Sequence, residues 1–190
     1  MALTPSSMLA LGTPAPDFRL LEPRSGEYLA RDDFAEAAAL VVVFMCNHCP
    51  YVKHIRHELA RLGQDFAKMG VAMVGINSND IERYPADGPD AMVQQAHSAG
   101  YSFPYLLDAT QEVAKAYSAT CTPDFFVFDR DRKLVYRGQL DDSRPGNAHP
   151  VTGHDVRAAV AALLQERAVS PEQRPSIGCN IKWKPGNAPP

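Results

Sequence analysis

The chain has 190 residues, 45% hydrophobic and 22% charged, which suits one folded domain with a sizeable core and argues against disorder. Nineteen basic residues against 22 acidic ones give a net charge of −3, a balance that points to neither nucleic acid nor an anionic membrane surface as a partner. Four cysteines are too few for a disulfide scaffold, so their placement becomes the question.

The segment up to Asp17 has no lysine or arginine and only a short apolar run, Met8 to Leu11, unlike a secretory leader. No apolar run reaches the roughly 18 residues of a membrane span. The expected compartment is therefore the cytoplasm, where thiols stay reduced and a close cysteine pair reads as catalytic or metal-binding.

In chain order, Phe18–Leu21 and Glu27–Leu29 flank Pro23 to Gly26 and predict an N-terminal hairpin. Leu40–Met45 (LVVVFM) is continuously apolar and β-branched, the pattern of a strand buried on both faces. Val52, Ile55, Leu59, Leu62, Phe66 and Met69 then recur at helical spacing, and Gly70 closes that helix. Val71–Asn77 is a second buried strand. The polar Asp80 to Pro89 reads as a loop, and Asp90–Ala99 as a helix closed by Gly100. Phe103–Leu107 is a short strand and Gln111–Tyr117 a helical stretch. Asp124–Phe128 and Lys133–Gly138 are strands joined across Asp129 to Arg132. Val156, Val160, Leu163 and Leu164 place a final helix over about His154 to Arg167.

From Ala168 the character changes. Five of the 16 prolines fall in the last 23 residues, with the single tryptophan, Trp183. Lost N–H donors exclude a regular helix or a central strand there. Residues 168–190 are therefore read as a proline-rich tail that packs on, or frays from, a domain spanning 1–167, anchored through Trp183. Alternating strands and helices with a late hairpin predict an α/β sandwich around a mixed sheet.

Cys46 and Cys49 stand where the buried strand hands over to the amphipathic helix. A thiolate at a helix N-terminus meets unpaired N–H groups and the positive end of the helix dipole, which lower its pKa. Pro50 suits the first helical position and pushes its predecessor out of helical geometry. Cys49 thus becomes the N-cap and the expected nucleophile, with Cys46 as resolving thiol. Two other readings stay open: inert packed cysteines, or a zinc site drawing on Cys46, His48, Cys49, His54 and Cys179. For zinc, no second CxxC or HxxxH completes a ligand set. Covalent haem is excluded because Pro50 occupies the histidine position of CxxCH.

LGTPAPDF, the strand–Cys–Pro–helix unit, and Thr122–Pro123 before DFFVF resemble the thioredoxin-like superfamily. Within it they resemble the peroxiredoxin-like redoxin branch, whose members are described as probable thiol-disulfide isomerases or thioredoxins. CNHCPYVK, GINSND and GCNIKWKPGN look like one subgroup of that branch, and the resemblance covers about residues 10 to 187. It implies a three-layer sandwich with helices on both faces of a central mixed sheet. It also implies a cis Pro123 facing the cysteines, with Thr122 offering backbone hydrogen bonds to substrate.

Departures from the family pattern matter. Thioredoxin has Cys-Gly-Pro-Cys where this chain has Cys46-Asn47-His48-Cys49. Against the FWxxWCxxCK of secreted reductases, Cys49 matches the first cysteine and Val52 replaces the second. The P-x-x-x-T-x-x-C of peroxiredoxins is absent: counting back from Cys49 gives Cys46 and Val42, and from Cys46 gives Val43 and Ala39.

His48 is expected to steady a thiolate or relay a proton, and Lys53 and His54 to add positive potential, unless they are only exposed side chains. Cys121 lies near the site or simply packs. Cys179 is a possible resolving thiol on a tail folded back as a lid. The expected activity is thiol-disulfide oxidoreduction, with thiol peroxidase and non-catalytic redox sensor or binding module as alternatives. Expected partners are protein or small-molecule disulfides and a thioredoxin or glutathione reducing system. No metal, flavin or nucleotide is called for, since GxGxxG and Walker A patterns are missing; the oligomeric state is not legible.

Overall fold

The runs that are apolar at every position form the middle of the molecule, because only a strand covered on both faces can bury all of its side chains. In the computed structural model, which describes residues 3–189, the chain begins with β1 (Leu3–Pro5), β2 (Arg19–Glu22), β3 (Glu27–Ala30) and β4 (Leu40–Phe44). It continues through α1 (Pro50–Lys68), β5 (Ala72–Asn77), α2 (Pro89–Ala99), β6 (Tyr105–Leu107) and α3 (Glu112–Ala116). β7 (Cys121–Thr122), β8 (Asp124–Phe128), β9 (Leu134–Gly138), α4 (His154–Leu164) and β10 (Ile177–Asn180) complete it.

Seven strands form the central sheet in the order β3-β2-β6-β5-β4-β8-β9. β4 runs parallel to β5 and antiparallel to β8, so the sheet is mixed. Every residue of β4 and β8 is buried. Alternate side chains of β4 feed two cores. Val41 and Val43 meet α1, α2 and α4 through Ile55, Leu59, Met92, Val156 and Val160. Leu40, Val42 and Phe44 meet α3 and Tyr117 on the other face. Arg157 of α4 bridges Glu58 and Asp65 of α1 at 2.7 and 2.9 Å, tying two helices of the first layer together. This is the expected α/β sandwich with helices on both faces.

Differences from the sequence reading are local, with one exception. Met69 lies just past α1 and is 51% exposed rather than part of its buried stripe. The stretch expected as loop contains a short 3-10 turn at Pro85–Asp87, and α4 ends at Leu164. The exception is the tail. Ile177–Asn180 forms β10, the middle strand of a second, three-stranded sheet ordered β1-β10-β7. The expectation that no central strand could form there is thus corrected: Pro171, Pro175 and Pro185 flank these four residues and leave every β10 N–H available. Beyond β10, Ile181 is buried in the second core and Trp183 packs against it. Gln111 clamps the same segment, donating to Lys182 O at 2.9 Å and accepting from Lys184 N at 2.9 Å.

Candidate active site

The strand-to-helix handover works as the residues dictate. β4 stops at Phe44, and α1 opens with Pro50 at its first position and Cys49 as extended N-cap (φ −64°, ψ 122°). The first helical bond runs from Lys53 N to Cys49 O at 2.9 Å. Across from it, the Thr122–Pro123 peptide is cis. Cys49 Sγ lies 3.2 Å from Thr122 O, and Cys46 Sγ lies 3.5 Å from Thr122 Oγ1. The same Thr122 is paired in β-register with Cys179 of β10. Three cysteines distant or separated in sequence therefore converge on one residue. Cys49 has no solvent exposure, and Cys46 and Cys179 are also buried.

The electrostatics of these thiols diverge. Hydrogen bonding from Cys46 is the main influence lowering the Cys49 thiol, to about 5, against the opposing effect of burial. The Thr122 hydroxyl, the Val52 amide of the first helical turn and Cys179 add to it, although no cap hydrogen bond is fully closed at Cys49. A thiol donating to a thiolate holds its own proton more tightly, and Cys46 is accordingly pushed well up by Cys49 and then by burial. Burial, then the bond to Cys49, raises Cys179 to about 12. Cys121 is raised by burial and packs with its Sγ 3.7 Å from Pro123 O. The arrangement is one thiol biased toward its thiolate, attended by two thiols biased toward their neutral form.

The loop between the two cysteines is held by a residue that sequence patterning did not single out. The buried Asp87 accepts from Asn47 N at 2.8 Å and His48 N at 3.1 Å through Oδ1. Its Oδ2 bonds His48 Nδ1 at 2.5 Å and Asn79 Nδ2 at 2.8 Å. Burial works to raise the Asp87 carboxyl, but the His48 ring and the Asn79 amide outweigh it and hold it low. Asn77 Nδ2 anchors Asp87 O at 2.7 Å, and Tyr105 Oη donates to Asn47 Oδ1 at 3.1 Å. His48 also stacks on Tyr84, with ring centroids 5.4 Å apart. The sequence signal for this network was faint: an aspartate in a polar, proline-bearing stretch looks solvated.

Cys46, His48 and Asp87 offer three ligand atoms within 4.8 Å of one another. Their chemistry favours a hydrogen-bond network over a metal centre. All four bonds of the Asp87 carboxylate are made within the protein, so both of its oxygens are already satisfied. Of the residues expected to support the site, Cys46, His48, Cys49, Pro50, Thr122, Pro123 and Cys179 are brought together. Lys53 and His54 are not. Lys53 is exposed on α1, and His54 Nε2 bonds Ser143 Oγ at 2.8 Å. A cavity of about 570 Å³ between α4 and residues 167–174 has no cysteine in its lining. No described helix is long and apolar enough to cross a membrane.

Comparison with known proteins places this geometry. An uncharacterized conserved protein from Geobacillus kaustophilus is 56% identical and superposes with a TM-score of 0.96 over 98% of both chains. A thiol:disulfide interchange protein of the thioredoxin family from Chlorobium tepidum is 19% identical, with a TM-score of 0.62 over 82% of this chain and 99% of its own. Peroxidoxin BcpB from Mycobacterium tuberculosis is 20% identical, with a TM-score of 0.60 over 83% of this chain and 97% of its own. At those lower identities the likeness is one of fold, the thioredoxin-like sandwich. No curated protein matches the chain. The AhpC/TSA family matches residues 11–137, which carry the Cys46–Cys49 segment and the cis-proline. The chain belongs to the AhpC/TSA family, as a thioredoxin-like redoxin with a thiol-based redox function.

Proposed function

We propose that the protein is a thiol-disulfide oxidoreductase with Cys49 as its nucleophile. The observation that carries this reading is the Cys49 thiol at the N-cap of α1, lowered to about 5 and hydrogen-bonded to two further thiols beside a cis-proline. Its thiolate attacks one sulfur of a protein or small-molecule disulfide and expels the other as a thiolate, leaving a mixed disulfide on Cys49. A neighbouring thiol, Cys46 or Cys179, then attacks Cys49 Sγ and expels the remaining substrate sulfur. An external dithiol or glutathione system returns the two electrons. Asp87 positions the intervening loop by holding the Asn47 and His48 amides.

Turnover of oxidised glutathione by the reduced protein, with dithiothreitol as electron source, tests the reading. Cys49→Ser should lower the rate by about a thousandfold or more, as loss of a nucleophile does. Equal rates for wild type and Cys49→Ser would sink it. Cys49-dependent consumption of hydrogen peroxide without disulfide turnover would replace it with a peroxidase. A single stoichiometric oxidation without turnover would indicate a sensor.

A further inference from the structure

The nucleophile that the proposed function needs is fully covered, and the segment lying on it is β10. In register, Cys179 stands opposite Thr122 and Asn180 opposite Cys121, antiparallel. The backbone edge immediately before the cis-proline is therefore already occupied by a strand of this same chain, and that strand carries a cysteine thiol buried in the same cluster as Cys49 and hydrogen-bonded to it. The fit is close. A Cβ on Gly178 would stand 2.0 Å from Thr122 O and 3.2 Å from Pro123 N, so only glycine allows this approach. Ser176 fastens the strand's start, its N–H donating to Ser6 Oγ at 2.9 Å and its hydroxyl donating to Pro123 O. Lys182 fastens the other end, its N–H donating to Asn79 Oδ1 at 2.8 Å, and Asn79 is the same residue that holds Asp87.

We propose that β10 is a tethered substrate-like strand and that Cys179, presented by it to Cys49, is the thiol that resolves the mixed disulfide. This rests on the thiol-disulfide reading above. β10 must lift for a disulfide R–S–S–R′ to reach Cys49. Attack by the Cys49 thiolate forms Cys49–S–S–R and releases R′–S⁻, which takes a proton from solvent. The reseating strand brings Cys179 to the adduct. Cys179 gives up its proton, its sulfur bonds to Cys49 Sγ, and R leaves as R–SH. The protein has lost two electrons and holds a Cys49–Cys179 disulfide, and the substrate has become two thiols. An external dithiol then attacks that bond and restores both protein thiols, closing the cycle. Cys46 is the donor that keeps Cys49 ionised and stays reduced throughout.

The test oxidises reduced protein with stoichiometric oxidised glutathione, follows release of the first and second glutathione thiols, and maps the disulfide formed by mass spectrometry. Wild type should release both and yield Cys49–Cys179. Cys179→Ser should still release the first, slow the second at least about a hundredfold through loss of the adjacent thiol, and accumulate glutathionylated Cys49. Cys46→Ser should still form Cys49–Cys179. A Cys46–Cys49 disulfide in wild type, or unchanged second release in Cys179→Ser, would overturn the resolving role and leave the thiol-disulfide reading standing. Failure of wild type to release even the first thiol would bring down both. The wild-type map decides between them even if a variant misfolds.

Discussion

Cys46 and Cys49 carry the same side chain three positions apart, and their surroundings drive them in opposite directions. Cys49 sits at the helix N-cap and receives hydrogen bonds, which favour its charged form; Cys46 donates one and is buried, which favours its neutral form. Because only the thiolate is alkylated, the sign of the pH dependence follows. Below about 5 Cys49 takes up a proton and iodoacetamide labelling falls, while above that value the rate should stay level through neutral pH. An ordinary thiol would instead keep gaining rate up to about 8.5. Peptide-resolved labelling against pH checks this; a Cys49 midpoint near 8.5, or Cys46 reacting at lower pH than Cys49, would refute the assignment. Much of this site was legible residue by residue: the CxxC, Pro50 at the first helical position, and Thr122 before Pro123. Asp87, Asn79 and Tyr105 were not, because what makes them matter is burial and convergence from different loops, and neither leaves a periodic trace.

At the scale of elements, β10 is where composition misled. Proline counting over 23 residues argued against a central strand, but pairing needs only four consecutive residues with free N–H groups. The local sequence Ile-Gly-Cys-Asn meets that need, and its glycine permits close approach to the Thr122 carbonyl. Gly178→Ala should push the strand off that carbonyl at a cost of about 1–3 kcal/mol, typical of overpacking. Since Cys49 is reached only through opening, its alkylation rate should rise about tenfold or more as the open population grows by the same factor. Labelling at fixed pH measures it, and an unchanged rate would mean that β10 does not govern access to Cys49. α1 shows the opposite case. Its stripe of apolar residues at helical spacing specified both its extent and its buried face, apart from one residue at the C-terminal end.

For the whole molecule, the division into a domain of 1–167 and a tail of 168–190 understates the tail. It supplies a strand to the small sheet, Ile181 to the second core, and hydrogen bonds to Asn79, Asp80 and Gln111. Removing the burial of Cys179, Ile181 and Trp183 alone forfeits several kcal/mol, at about 1.5–3 kcal/mol per large apolar side chain. That approaches the whole stability of a domain, about 5–15 kcal/mol. A chain ending at residue 167 should therefore lose its cooperative thermal transition, or melt at least about 10 °C lower given the usual slope of roughly 2–4 °C per kcal/mol. A circular-dichroism melt decides it, and an unchanged midpoint would show that the tail is passive.

By itself the sequence determined the α/β class, the buried strands, the amphipathic α1 and the cysteine at its N-cap, because each rests on patterns within a few turns or one strand. Only the tertiary structure decided that Asp87 would hold the cysteine loop, that Lys53 would point away into solvent, and that Cys179 would arrive 130 positions later beside Cys49. Those outcomes depend on which surfaces remain to be covered once the sheet has formed. The tail covers the last of them, and in doing so closes over the thiolate.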